Sequence, residues 1–245
     1  MKIVYGVYQF LGFPITDYLM RTGETVFGID PEPDAKNGIG EMKEFYVRNA
    51  NFKQLDNLKD LPLSEGKADI YMVLWNPAAL LPEALSFLEQ IKETNGLEAS
   101  ITIFSPLQTE EADIRIVRDA CQSQSNPQIG KWIFISRMYG PWMPENSCVY
   151  EHIINGEYDK LEKESPIFID DFIARFDEIM DCPDKEMAVL GENAPETQLI
   201  PWEMSETPLL KTAFRVPEQT SMEEGAKILQ EHKKKVSMIE YWNNK

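Results

Sequence analysis

Residues 1–30, MKIVYGVYQFLGFPITDYLMRTGETVFGID, restrict the fold more than any other stretch of the chain. Ile3 to Tyr5 is a short apolar run, as expected of a strand buried on both faces. Gly6 and Gly12 bracket a turn, and Pro14 suits the first turn of a helix, where its missing N–H costs nothing. Ile15, Tyr18 and Leu19 then follow helical spacing, and Gly23 fits the stop. Thr25 to Ile29 reads as a second strand ending at Asp30. Strand, glycine turn, helix, strand and acid is a βαβ unit, which needs helices over both faces of a parallel sheet.

Later segments keep the alternation. PEPDAKNGIG (31–40) reads as a loop from its proline and glycine content. ADIYMVLW (68–75), ASITIFS (99–105) and KWIFIS (131–136) are strand-like. PEALSFLEQIKE (82–93) and EEADIRIVRDACQ (110–122) read as amphipathic helices. The pattern predicts an α/β fold, a doubly wound parallel Rossmann-like sheet over residues 1–139. Its crevice is expected at the C-terminal ends of strands one and four. After Gly140 proline becomes frequent, and residues 140–245 are expected to form a smaller α/β part of substrate-domain type. Residues 167–180 are expected to pack back on the first domain. TSMEEGAKILQEHKKKVSMIEYW (220–242) is the last clear helix, with Ser221 and Glu224 as a capping box.

The turn after strand one carries the candidate chemistry. Glycines there let backbone N–H groups approach a pyrophosphate, and the following helix points its positive end at the same charge. Asp30 follows Gly12 by 18 residues, near the separation of an acid that binds a ribose hydroxyl pair. Gly6, Gln9, Phe10, Leu11, Gly12 and Asp30 are therefore the candidate cofactor-binding set. The other reading is that the glycines serve tight packing and Asp30 opens a loop. Gln9 favours that reading, because a side chain at the middle position takes space a pyrophosphate would use.

Charge and cysteine content remove several classes. The formal net charge is -17, from 41 acidic and 24 basic residues, which argues against nucleic acid or an anionic membrane as partner. No run of about 18 apolar residues is present to span a membrane. Asp17, Arg21 and Glu24 interrupt the apolar start too soon for a signal peptide. Cys121, Cys148 and Cys182 lie far apart with no CxxC, and His152 and His232 are too few for a zinc cluster, so no metal is expected. Free thiols in a reducing cytoplasm are the expectation.

The chain resembles the extended short-chain dehydrogenase/reductases, the family of NAD-dependent sugar epimerases and dehydratases. YGVYQFLG (5–12) resembles that family's T-G-x-x-G-F-[IL]-G turn, matching at Gly6, Phe10, Leu11 and Gly12 and departing at Tyr5 and Gln9. GETVFGID resembles its second strand and ribose-binding acid. ADIYMVLWNPA resembles a strand that ends in small residues beside the cofactor, where this chain has Trp75 and Asn76. ITIFSP places Ser105 near the family's catalytic serine. ISRMYGPWMPENS resembles its arginine and Y-G-P turn, and PIFIDDFIARF its I-x-V-x-D-[DV] segment, with Asp170 and Asp171.

The resemblance implies NAD as cofactor, with Asp30 disfavouring the 2′-phosphate of NADP. It also implies a homodimer through the helices of residues 82–93 and 110–122, unless both only cover the sheet. The family's Tyr-x-x-x-Lys pair is absent from its usual place. No tyrosine lies between Tyr71 and Tyr139, and no lysine between Lys92 and Lys131. Tyr241 and Lys245 have that spacing at the chain end, where a helix C-terminus accounts for them. Glu110, Glu111 and Arg115 are the charged groups nearest the gap. Ser105 remains as a residual catalytic candidate. Three functions follow as alternatives. One is a pseudoenzyme that binds NAD weakly or not at all and acts through a small-molecule ligand or a partner protein. Another is an active epimerase or reductase with a different acid/base, and the third is a structural subunit of an oligomer.

Overall fold

The computed structural model describes residues 1–30, 39–56, 58–61, 66–94, 97–122, 128–162, 164–195 and 212–243. Contacts divide the chain into two compact units, Met1–Phe134 with Asp184–Met187, and Ile135–Pro183 with Ala188–Lys245. The first unit alternates strand and helix: β1 (Lys2–Tyr5), α1 (Gly12–Arg21), β2 (Val26–Ile29), α2 (Ile39–Val47), β3 (Phe52–Gln54), β4 (Gly66–Val73), α3 (Pro77–Glu93), β5 (Leu97–Pro106), α4 (Glu111–Gln122) and β6 (Gln128–Ile135). β9 (Glu186–Gly191) and β10 (Ala213–Val216) follow later in the chain.

These strands form one parallel eight-stranded sheet in the order β10–β9–β6–β5–β4–β1–β2–β3. The register sets Lys2 beside Val26 on one side and Asp69 on the other. Sequence order runs outward in both directions from the β4–β1 pair, so the switch in winding lies at the ends of β1 and β4, where the pattern placed it. Ile3, Val4, Ile101, Ile103 and Phe104 have no solvent exposure, as expected of strands covered on both faces.

Strand and helix ends shift by one to three residues from the sequence reading, and two differences bear on the helices. The segment read as a loop over 31–40 contains the start of α2 at Ile39, and residues 31–38 lie outside the described residues. α3 begins at Pro77 rather than Pro82, which sits inside the helix. An internal proline removes one N–H bond without ending a helix that its neighbours bury, and Leu80, Ala84 and Phe87 are buried here.

The second unit holds β7 (Met138–Tyr139) and β8 (Ile167–Phe168), paired in parallel, with α5 (Cys148–Ile154), α6 (Asp159–Glu162), α7 (Ile169–Ala174), α8 (Phe176–Asp181) and α9 (Met222–Asn243). Glu224 N donates to Ser221 Oγ at 3.3 Å, half of the expected capping box. Asp171 is buried, and its carboxylate accepts from Gln219 N (3.1 Å), Thr220 N (3.1 Å) and Thr220 Oγ1 (2.9 Å). That acid holds the lead-in to α9, whereas its neighbour Asp170 is exposed.

Candidate functional site

The crevice at the ends of β1 and β4 begins with Gly6. Its φ of +81° is open to glycine and strained for other residues, and it reverses the chain directly after β1. Gly6 N donates to Ile29 O at 2.8 Å, and Gln9 N to Gly6 O at 3.0 Å, which closes the turn. Gly12 sits against the turn so closely that a Cβ would stand 1.8 Å from Gly6 O. Both glycines are therefore required by the backbone itself, with or without a ligand.

Asp30 stands one residue beyond β2, and its Oδ2 accepts from Tyr8 N at 2.9 Å. The acid is thus tied to the turn it was expected to serve. Tyr8 OH donates to Gln54 Oε1 at 2.8 Å, and burial, with the Asp30 charge adding, pushes its phenol up to about 12. Phe10 and Leu11 are core residues, 4% and 0% exposed.

Gln9 and Trp75 meet across the crevice. Gln9 Oε1 accepts from Trp75 N at 3.2 Å, a bond from the turn after β1 to the residue group after β4. The donor being a backbone N–H fixes which end of the amide is oxygen. Gln9 Nε2 is then turned inward, buried and without a hydrogen-bond partner among the described residues. It stands 2.9 Å from where a Cβ on Gly6 would be, so the amide fills the space that the missing side chain leaves. The Phe10 and Trp75 rings meet edge to face, their centroids 5.5 Å apart. A dinucleotide laid through this crevice needs its pyrophosphate against the glycine turn. With Gln9 in this position the residues present do not fit that group.

Ser105 is completely buried on β5, and its Oγ accepts from the Trp132 indole N–H at 2.9 Å. Trp132, on β6, is 1% exposed and stacks on Phe134 at 5.5 Å. Ser105 therefore has no solvent exposure in this structure, and its oxygen is engaged by the indole. Glu110 and Arg115 are both exposed. The Glu111 side chain and Lys245 lie outside what is described, and Tyr241 falls near the end of α9.

In the second unit, Tyr139 and Tyr150 are buried, 1% and 7% exposed. Burial pushes the Tyr139 phenol up, with Asp171 and Glu218 adding to it. Tyr150 OH donates to Glu145 Oε1 at 3.1 Å and is met by Lys233 Nζ. Trp142 stands edge-on to His232, ring centroids 4.2 Å apart. Among the described residues no group of three His, Cys, Asp or Glu is arranged to hold a metal ion, and no helix is long and apolar enough to cross a membrane.

Neither the Gln9–Trp75 contact nor the Trp132–Ser105 bond stands out in the sequence pattern. Gln9 and Trp75 are each visible as a departure from the family, but only the fold brings them together. The Trp132–Ser105 bond joins two strands through residues that each look like ordinary core.

No family model matches the sequence, and no curated protein shows significant similarity to it. Solved structures do match. An epimerase from the methanogen Methanothermobacter thermautotrophicus has 12% identity over 97% of this chain and 93% of its own, with a TM-score of 0.63. dTDP-glucose 4,6-dehydratase from Bacillus anthracis, solved with NAD, has 12% identity over 96% of each chain and a TM-score of 0.61. UDP-glucose 4-epimerase from Thermotoga maritima, solved with UDP-glucose, has 16% identity over 96% of this chain and 99% of its own, with a TM-score of 0.58. At these identities the likeness establishes the architecture: the chain has the Rossmann-like α/β fold found in NAD-dependent epimerases and dehydratases.

Proposed function

We propose that this chain uses the framework of the nucleotide-sugar epimerases and dehydratases without their hydride chemistry, and acts by binding a ligand or a partner protein. The observation that carries this is the burial of Ser105 under the Trp132 indole. A hydroxyl with no exposure, engaged by a core tryptophan, cannot reach a sugar carbonyl. Proton transfer at that carbonyl is worth roughly 10²–10⁴-fold in such chemistry. The missing Tyr-x-x-x-Lys pair points the same way, since α4 supplies neither group at that place.

A second reading, an active enzyme with a different acid/base, has one contact behind it. Lys233 Nζ meets Tyr150 OH, which sets a phenol beside an ammonium in the second unit. The test separates the two. The wild type is screened with UDP- and dTDP-sugars and NAD(H) or NADP(H), following cofactor absorbance and sugar products by chromatography. The expected outcome is no turnover. Turnover that Tyr150→Phe abolishes would replace the first reading with the second.

A further inference from the structure

We propose that Gln9 is a built-in plug of the pyrophosphate end of a dinucleotide seat whose glycine turn is intact, so that one side chain decides whether that end of the crevice opens. The backbone of the seat is formed: Gly6 has its left-handed turn, α1 starts without a side-chain cap at Leu11, and Asp30 stands beyond β2. The obstruction is local. Gln9 Oε1 takes the N–H of Trp75, and its Nε2 lies in the hollow over Gly6.

The two ends of this amide are unequally served. Oε1 has its donor, whereas Nε2 is buried and lacks an acceptor among the described residues. A buried donor without an acceptor is unfavourable, and the free energy it costs is recovered when the group swings to water. The plug is therefore weakly held. A phosphate oxygen offered to the same turn would compete with an amide that satisfies only one of its two ends. The same reasoning separates Gln9 from Gly12, whose close approach to Gly6 O is a requirement of the chain fold. Replacing Gly12 would break the turn, whereas replacing Gln9 would open it.

The titration reads binding alone, whereas turnover by the wild type in the screen above would need an open dinucleotide seat and would also count against the plug. Wild type, Gln9→Gly, Gln9→Ala and Gln9→Glu are titrated calorimetrically with NAD and, as a ligand lacking phosphate, with adenosine. Circular dichroism and thermal midpoints establish that each is folded, and Gln9→Ala serves if the glycine variant is not. NAD is expected to bind the glycine or alanine variant about tenfold or more tighter than wild type, because the competing amide is gone. Gln9→Glu, which keeps the size and the Trp75 acceptor, is expected to show no gain, and adenosine to show none in any variant. Equal NAD affinity in all folded variants would overturn the plug. So would a gain in Gln9→Glu, or an equal gain with adenosine.

Discussion

The indole nitrogen of Trp132 stands 2.9 Å from Ser105 Oγ, and neither residue reaches solvent. The serine is thereby a packing and hydrogen-bonding element between two central strands. Ser105→Ala leaves the indole N–H buried without an acceptor, and is expected to destabilise the fold by about 1–3 kcal/mol. Urea unfolding checks this. An alanine variant as stable as wild type would show that the bond contributes nothing.

Gly225 on α9 tests the packing of the second unit. A Cβ there would stand 2.6 Å from Tyr139 Cε2 and 3.0 Å from Phe168 Cδ2. Gly to Ala inside a helix ordinarily stabilises by about 1 kcal/mol, whereas overpacking costs about 1–3 kcal/mol. With Tyr139 and Phe168 both buried, the second effect is expected to win, and Gly225→Ala to lower the thermal midpoint. A raised midpoint would mean that the rings can shift.

His232 gives a pH dependence with a definite sign. Burial, then the charge of Lys235, holds its imidazole below the usual value of 6.5. The unfolded chain therefore binds this proton more readily than the folded one. Stability from the neutral ring is complete above pH 6.5 and is lost as pH falls through that value toward the folded pKa. Denaturation at pH 7.5 and 5.5 is expected to show a larger loss for wild type than for His232→Gln, over about these pH values. Equal losses would remove His232 as a contributor.

The three thiols are expected to separate by accessibility. Cys121 is 3% exposed, and burial pushes its thiol up to about 11, so little thiolate forms at neutral pH. Cys148 is exposed and Cys182 half-buried. Labelling of the native protein with a thiol reagent, followed by peptide mass mapping, is expected to modify Cys148 first and Cys121 only on unfolding. Early labelling of Cys121 would contradict its place in the core.

Much of the fold was legible because its signals are local and repeated. Apolar runs such as Ile101–Phe104, between amphipathic helices, dictate buried parallel strands, and the order of chain segments then locates the crevice at β1 and β4. The two-residue β7 and β8 carry no periodicity, and β9 and β10 lie after Gly140, where proline is frequent and the alternation of strand and helix patterns loosens. The candidate site was legible only in part. Gly6, Gly12 and Asp30 announce themselves by spacing, whereas the bonds Gln9–Trp75 and Trp132–Ser105 depend on which strands become neighbours. Asp171 was placed at a helix start by its sequence, yet its partners are Gln219 and Thr220, far along the chain.

The most direct test of a crevice closed by its own side chains is the dinucleotide content of the wild-type protein as purified. The protein is denatured, and the released nucleotides are separated by chromatography and counted against protein concentration. With Gln9 seated on Trp75 N and over Gly6, the expected result is no NAD or NADP above background. A dinucleotide held stoichiometrically by the unaltered chain would contradict it.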